Sequence, residues 1–290
     1  LVYPAHGAGS ACGKDLSSQT VSTIGEQKKT NYALRHNMSK DEFVREVTQG
    51  LTPPPNYFPL NVKMNKEGYE DIDKIIVSGT TPLDPNSFEK ISKIKNALIL
   101  DVRHQQDFAK EHIPNSIFIG IDGSFAPWVG KIVVNVKKPI LLVTPDDRIE
   151  ESVVRLARVG FDNSLGYLRG GIKAWKTEGK STASVNVIDP ILFYKLTKSE
   201  NLKVFDLRKS DEYNSGYISN AQNIPLDFLS QKISNFRLND IFYTHCAGGY
   251  RSMIAASILK RNGIHNFTDI RGGFNALRKT GLEISEKKTY

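Results

Sequence analysis

The sequence predicts an α/β protein in which two copies of one parallel-sheet unit follow each other along the chain. First, short apolar segments alternate with helical segments from Ile75 onward, and such strands are typical of parallel sheets covered by helices on both faces. Second, an ordered set of residues recurs about a hundred positions later. Third, a single cysteine, Cys246, lies between one of these strands and the next helix.

The internal repeat consists of three groups of residues in the same order. Asp101-Val102-Arg103 corresponds to Asp206-Leu207-Arg208, the group Phe108, His112-Ile113 and Asn115-Ser116 corresponds to Tyr213, Tyr217-Ile218 and Asn220-Ala221, and Leu168-Arg169-Gly170-Gly171 corresponds to Ile270-Arg271-Gly272-Gly273. Chance does not readily produce three ordered matches. We therefore predict two α/β domains, at residues 73–181 and 182–290, after an N-terminal segment at 1–72.

The individual elements follow from local patterns. In the N-terminal segment, a helix is predicted from Ser22 towards Leu34, and Ser39 with Glu42 forms a capping box that opens another. Gly50 and the prolines at 53–55 end that second helix. In the first copy, strands are predicted at 97–101, 116–120, 139–143 and 165–168, with the clearest helix at 150–159. In the second copy, the strand at 241–245 runs into Cys246 and a helix follows at 253–260.

Composition excludes several classes of protein. The net charge of +8 is spread over paired lysines without a recognition motif, so we predict no nucleic-acid partner. No apolar run approaches the roughly 20 residues of a membrane span, and the first residues do not resemble a signal peptide. The two cysteines, Cys12 and Cys246, are too few for a secreted disulfide framework. These features predict a cytoplasmic protein without a membrane partner and leave open whether it forms a homo-oligomer.

The segment from Cys246 to Arg251 is the candidate active site. A turn between a buried strand and a helix directs backbone N–H groups and the positive end of the helix dipole at its contents, which favours a thiolate over a thiol. Gly248 and Gly249 allow the backbone to curl around an anion. We predict that the amides of Ala247 to Tyr250 and the Arg251 side chain bind substrate. Catalysis is assigned to Cys246, Arg251 and Asp206, the last as a residue that holds the loop.

The first copy lacks this chemistry. Set against the Cys246 loop, residues 143–148 contain neither cysteine nor glycine, and Asp146 and Asp147 take the place of the anion-binding turn. Acidic side chains repel a negatively charged substrate. We therefore predict that the first copy is inactive. Arg208 is predicted to pair with a carboxylate.

The second copy resembles the rhodanese family of sulfurtransferases. The resemblance covers residues 186–290 and rests on Asp206-Leu-Arg208, Glu212-Tyr213, Gly216-Tyr217-Ile218, Asn223-Ile-Pro-Leu226, Cys246 with Arg251-Ser252, and Gly272-Gly273. It departs from the family at Tyr217, where a histidine is usual, and in lacking a tryptophan near Leu277. The resemblance implies that Cys246 carries sulfane sulfur between thiosulfate or a small persulfide and sulfite or a thiol, without a cofactor. The first copy resembles a rhodanese-like domain without its nucleophile.

The N-terminal segment resembles the end of a metallo-β-lactamase-fold (αββα) domain of the persulfide dioxygenase and glyoxalase II kind. The residues that carry this are Tyr3-Pro4-Ala5-His6-Gly7, Gly9-Ser10-Ala11-Cys12-Gly13 and Thr23-Ile24-Gly25-Glu26-Gln27. His6 matches a metal ligand of that family, so Fe(II) or Zn(II) is implied for an intact domain only. Because residue 1 is not Met, we expect further native sequence before it. The domain order resembles persulfide dioxygenase–rhodanese fusion proteins of sulfide detoxification.

Three other functions remain open from the sequence. A cysteine phosphatase or arsenate reductase also uses a Cys…Arg loop, but such loops place five residues between the two, whereas four lie between Cys246 and Arg251. Both copies could instead be non-catalytic modules that regulate a metal domain. The intact protein could also be a glyoxalase II-like hydrolase.

Overall fold

A computed structural model describes residues 1–5, 19–48, 57–236 and 240–285. The chain divides into two compact units, Leu1–Pro54 and Pro55–Tyr290. In the first unit, an antiparallel bridge joins Val2 to Ser22. Its helices are α1 (Ile24–Thr30), a 3₁₀ turn (Tyr32–Leu34) and α2 (Lys40–Thr48). The predicted capping box is confirmed, since Ser39 N–H donates to Glu42 and Glu42 N–H to Ser39 Oγ. His6 and Cys12 lie outside the described residues.

The second unit contains both predicted copies. It starts with helices α3 (Phe58–Glu67) and α4 (Ile72–Gly79). The first copy has strands β1 (Pro82–Leu83), β2 (Leu98–Asp101), β3 (Ile117–Phe118), β4 (Ile140–Val143) and β5 (Ser164–Leu168), and helices α5 (Pro85–Ile94), α6 (Gln105–Lys110), α7 (Phe125–Ile132), a 3₁₀ turn (Asp146–Arg148), α8 (Ile149–Ala157) and α9 (Gly171–Thr177). The four strands and the helix predicted here are confirmed, and each of their ends lies within two residues of the predicted one.

The second copy repeats this order. Its strands are β6 (Val187–Ile188), β7 (Val204–Asp206), β8 (Tyr217–Ile218), β9 (Ala221–Asn223), β10 (Phe242–His245), β11 (Phe267–Ile270) and β12 (Ile284–Ser285), and its helices are α10 (Pro190–Leu196), α11 (Ser210–Asn214), a 3₁₀ segment (Leu226–Asn235), α12 (Tyr250–Arg261) and α13 (Gly273–Leu277). Both copies open on the same helix signal. Asp84 caps α5 and Asp189 caps α10, each followed by a proline at the first helical position.

The two main sheets have the same topology. Their strand orders are β1-β5-β4-β2-β3 and β6-β11-β10-β7-β9, and the strands are parallel. The prediction of an α/β fold with two tandem parallel-sheet domains is therefore confirmed. In this topology the carboxyl ends of β7 and β10 are neighbours, with Asp206 paired to His245. Open α/β sheets bind ligands at such carboxyl ends, and Cys246 follows β10 directly.

The compact unit that holds both copies also includes residues before 73, and the predicted boundaries at 72 and 181 stay predictions. Tyr57 belongs to its buried core, and its ring lies where a side chain on Gly130 would stand. Helix α3 follows Tyr57 directly and belongs to the same compact unit. Among the described helices, none has both the length and the apolar character needed to cross a membrane.

Candidate active site

Cys246 occupies the turn between β10 and α12. Gly249 adopts a left-handed conformation with a φ of 99°, which glycine reaches without steric cost, and it precedes the first residue of α12. This bend directs the Gly249 N–H at the Cys246 sulfur, with N and Sγ 3.2 Å apart. The side chain of Cys246 is buried, with 1% of the residue exposed, and it packs in the apolar core. A helix N-terminus with an amide aimed at sulfur is suited to hold a thiolate.

The other predicted loop residues lie on the same turn. Ala247 and Gly248 lead from Cys246 to Gly249, and Tyr250 begins α12. The hydrogen bond to the Cys246 sulfur comes from the Gly249 N–H. A shared role for the amides of Ala247, Gly248 and Tyr250 stays a prediction.

Arg251 binds a partner that the sequence analysis did not assign to it. Its two terminal nitrogens contact the two carboxylate oxygens of Glu212 on α11, at 2.6 and 2.7 Å. Hydrogen bonds from Arg251 hold the pKa of Glu212 below its ordinary value, and Glu212 in turn raises the pKa of Arg251, to which the nearby Cys246 also contributes. The guanidinium therefore lies within electrostatic reach of the sulfur while its fork geometry is used by Glu212. Glu212 stood in the sequence motif, but only the fold shows which cation it meets.

Asp206 lies one strand away from Cys246 and is fully buried. Its carboxylate accepts Arg208 Nε at 2.9 and 3.0 Å and the Arg208 backbone N–H at 2.9 Å. The predicted pairing of Arg208 with a carboxylate is confirmed. Asp206 Oδ2 also lies 3.8 Å from Nε2 of His245, the residue before the cysteine.

The same ion pair recurs in the first copy, which has no cysteine in its loop. Asp101 accepts Arg103 Nε at 2.9 and 3.1 Å, and Arg103 reaches on to a backbone carbonyl as Arg208 does. Because both copies keep the pair, its geometry favours a structural role for Asp206. The role predicted for Asp206 in catalysis, that it holds the Cys246 loop, stays a prediction.

A second buried carboxylate near the loop was not singled out from sequence. Asp269, at the end of β11, is 2% exposed and accepts a hydrogen bond from Thr244 Oγ1 at 3.1 Å. Burial raises its pKa to about 7, against the hydrogen bonds from Ser252 and Thr244, which lower it. The available signal was an aspartate inside the otherwise strand-forming segment 267–270.

A cavity of about 640 Å³ lies beside the loop, between the two copies. Gly248, Gly249 and Met253 form its side on the active copy, and Gln105, Gln106 and Lys110 of helix α6 form its side on the first copy. Asp269 and Arg271 also line it. Its volume is within the range of small-molecule sites, and it exceeds what an inorganic ion needs.

The first copy carries threonine where the second carries cysteine. In the sheets, Asp101 pairs with Val143 as Asp206 pairs with His245, so Thr144 occupies the position of Cys246. The alignment made from sequence was wrong by one residue. It set Arg148 against Arg251, and therefore Val143 against Cys246, because the strand register was not known. Thr144 Oγ1 contacts Ser152 Oγ at 3.2 Å. This loop therefore has a threonine hydroxyl where the second copy has a thiol.

The metal centre implied for an intact metallo-β-lactamase-fold domain stays a prediction. No three His, Cys, Asp or Glu side chains in these ranges lie together in a way that could hold a metal ion. His6, the predicted ligand, is not among these residues.

The tandem parallel sheets and the strand–Cys–Gly-rich turn–helix site define a class of α/β proteins that present a cysteine at a helix N-terminus. A family model described as "Rhodanese-like domain" matches residues 84–178 and 189–280, more than half of the chain. The chain belongs to the rhodanese family.

Three similar proteins each match about a third of the chain. Thiosulfate sulfurtransferase 16, chloroplastic, of Arabidopsis thaliana is 32% identical over 28% of this chain and 77% of its own length. The Bacillus subtilis protein YqhL is 35% identical over 30% of this chain and 66% of its own length, which is just under two thirds. A rhodanese-like domain protein structure from Staphylococcus aureus is 36% identical over 35% of this chain and 100% of that chain, with a TM-score of 0.32.

Proposed function

We propose that the protein is a sulfurtransferase that carries sulfane sulfur on Cys246. The observation that carries this proposal is the Gly249 N–H directed at the Cys246 sulfur, since Gly249 also lines a cavity large enough for a small molecule. It is supported by membership of the rhodanese family and by relatives whose names include thiosulfate sulfurtransferase and sulfurtransferase.

The proposed reaction has two displacement steps. The Cys246 thiolate attacks the outer sulfur of thiosulfate or a low-molecular-weight persulfide. A new S–S bond forms at Cys246 while the donor's S–S bond breaks, and sulfite or a thiolate leaves with the electron pair. An acceptor such as sulfite, cyanide or a thiol then attacks the outer sulfur of the cysteine persulfide and regenerates the thiolate. This is covalent catalysis with ping-pong kinetics.

The turn supplies electrostatic stabilisation in both steps. The Gly249 amide and the α12 N-terminus favour negative charge on sulfur, and Arg251 adds a cation nearby. These groups are in place before the reaction and so need little reorganisation. No proton transfer by Asp206 is required.

The wider setting of the proposal is a persulfide dioxygenase–rhodanese fusion that acts in sulfide detoxification in the cytoplasm. It rests on the resemblance of the first residues to the end of a metallo-β-lactamase-fold domain. In such a protein, the metal domain would oxidise a persulfide to sulfite with dioxygen as the oxidant, and the rhodanese domain would transfer sulfane sulfur to that sulfite to give thiosulfate.

Mass spectrometry tests the sulfur-carrier role directly. After incubation with thiosulfate or glutathione persulfide, we expect an adduct of about 32 Da, one sulfur atom, on the peptide that contains Cys246. Cyanide should remove it and form thiocyanate. Cys246→Ser should abolish both the adduct and turnover, whereas Cys12→Ser, which removes the other cysteine, should leave them intact. An unmodified Cys246 with both donors would refute the proposal.

A further inference from the structure

The side chain of Tyr250 leaves the catalytic turn and enters the first copy. Tyr250 is the first residue of α12 and follows Gly249, whose amide contacts the sulfur. Its hydroxyl donates a hydrogen bond to the backbone carbonyl of Gly120, 130 residues earlier in the chain, at 2.7 Å. A residue of the active loop is thus tied to the copy that lacks the cysteine.

The first copy provides a shaped socket for this ring. A side chain on Gly123 would overlap the Tyr250 ring, and a Cβ atom on Gly120 would approach it to 3.2 Å. The ring of Phe118, at the end of β3, meets the Tyr250 ring edge to face at 5.9 Å between centroids. Burial in this socket raises the pKa of the Tyr250 hydroxyl, so the hydroxyl keeps its proton and can donate the hydrogen bond to Gly120 throughout the neutral range. Gly120 and Gly123 thus leave space for the tyrosine ring, and Phe118 packs against it.

The position of Tyr250 gives this anchor a direct effect on the turn. One peptide unit separates the Cα atom of Tyr250 from that of Gly249, and a left-handed glycine is otherwise free to leave its conformation. Fixing the tyrosine ring fixes the N-terminus of α12. The direction of the Gly249 N–H follows from that, as does the start of the helix dipole.

We propose that Tyr250 is a positioning residue through which the first copy holds the catalytic turn in its thiolate-binding conformation. The proposal rests on the sulfurtransferase function proposed above. The copy without cysteine would then have a defined part in catalysis. It contributes no reacting group, but it influences the reacting sulfur through the position of the turn.

Other bonds between the copies provide a matched control. Lys131 of α7 forms an ion pair with Asp227, and Arg261 at the end of α12 donates to the carbonyl of Asn115. Both join the two copies, yet neither ends in the catalytic turn. If the first copy only stabilised the second copy as a whole, loss of any of these contacts would lower activity as much as loss of the Tyr250 hydrogen bond.

The experiment compares three variants of the full chain. Gly123→Ala fills the socket without changing any residue of the active copy, Tyr250→Phe removes only the hydroxyl, and Lys131→Met removes an ion pair between the copies. For each, kcat and KM are measured with thiosulfate and cyanide. The pH dependence of Cys246 alkylation by iodoacetamide and the urea unfolding midpoint are measured alongside.

We expect Gly123→Ala to lower kcat by about tenfold or more, because small displacements of a catalytic group have effects of that size. Tyr250→Phe should lower kcat about threefold or more, in line with one lost hydrogen bond. In both variants the alkylation midpoint should shift to higher pH, while KM changes less than kcat. Lys131→Met should change neither kcat nor the alkylation profile.

Two outcomes would overturn the proposal while leaving the sulfurtransferase function intact. One is a folded Gly123→Ala protein with unchanged kcat and alkylation profile. The other, decisive if Gly123→Ala fails to fold, is a Tyr250→Phe protein with both properties unchanged. A wild-type chain that forms no Cys246 persulfide would instead refute the function itself.

Discussion

At the scale of single residues, the site combines groups with opposite electrostatic preferences in a small volume. Gly249 and Arg251 favour negative charge near Cys246, whereas Asp269 is a carboxylate whose own charge is opposed by burial. A buried carboxylate with a raised pKa is neutral over part of the physiological range. It can therefore lie near a thiolate without repelling it, provided that the pH stays below its pKa.

This arrangement predicts how stability depends on pH. The folded pKa of Asp269 is about 7, above its ordinary value of 3.8. Between these values the folded state binds more protons than the unfolded state, so the contribution of Asp269 to stability falls as pH rises through this window. Asp269→Asn removes the titration. We expect the free energy of unfolding of this variant minus that of wild type, measured in urea, to be larger at pH 8 than at pH 5.

The control for this prediction is Asp211→Asn, which changes an exposed aspartate near Glu212. Its stability difference from wild type should be nearly the same at both pH values. If Asp269→Asn also shows a constant difference, Asp269 is not buried as a neutral acid.

At the scale of elements, much of the fold was predictable. Strand β4 is a continuous apolar run, and β10 contains aromatic and β-branched residues that favour a strand. The repeat of Asp-x-Arg fixed the equivalence of β2 and β7. The partners of the loop were not predictable, because Arg251 meets Glu212 only through the packing of α11 against the turn. The role of the Gly272-Gly273 turn also required the structure.

That turn supports the cysteine from behind. The Phe274 N–H, in the first turn of α13, donates to the Cys246 carbonyl at 2.7 Å, and a side chain on Gly273 would overlap the same oxygen. The first copy supplies a matched position. Gly171 has a φ of 57° against 56° for Gly273, but open space surrounds it.

We therefore expect Gly273→Ala to be much more damaging than Gly171→Ala. Both variants place alanine in a left-handed conformation at a cost of about 1–2 kcal/mol. Only Gly273→Ala also forces the Cys246 backbone to move, so it should lose activity by at least about tenfold and unfold more easily. Urea unfolding and thiosulfate–cyanide assays measure both effects. Equal losses of activity in the two variants would show that the close approach to Cys246 has no consequence.

At the scale of the whole second unit, the two copies share a continuous buried core and enclose the cavity beside the catalytic turn. The sequence predicted two copies and an inactive first one. It could not predict which helix of the first copy would face the loop, since no local pattern encodes the packing of one domain on another. The structure places α6 there, with Lys110 on the cavity wall.

Lys110 gives the first copy a second measurable influence on the proposed reaction. Thiosulfate and sulfite are anions, and a cation on the wall of their access route raises their local concentration. We expect Lys110→Glu to raise KM for thiosulfate severalfold with little change in kcat, because the lysine is exposed and does not contact the sulfur. The effect should shrink as salt is added, since screening weakens exposed charges. Lys173→Glu reverses a charge on α9 of the same copy, in a neighbouring groove that is not part of this cavity, and should leave KM nearly unchanged. A KM that responds equally to both variants would mean that anions sense only the net charge of the protein, and that they do not reach Cys246 along α6.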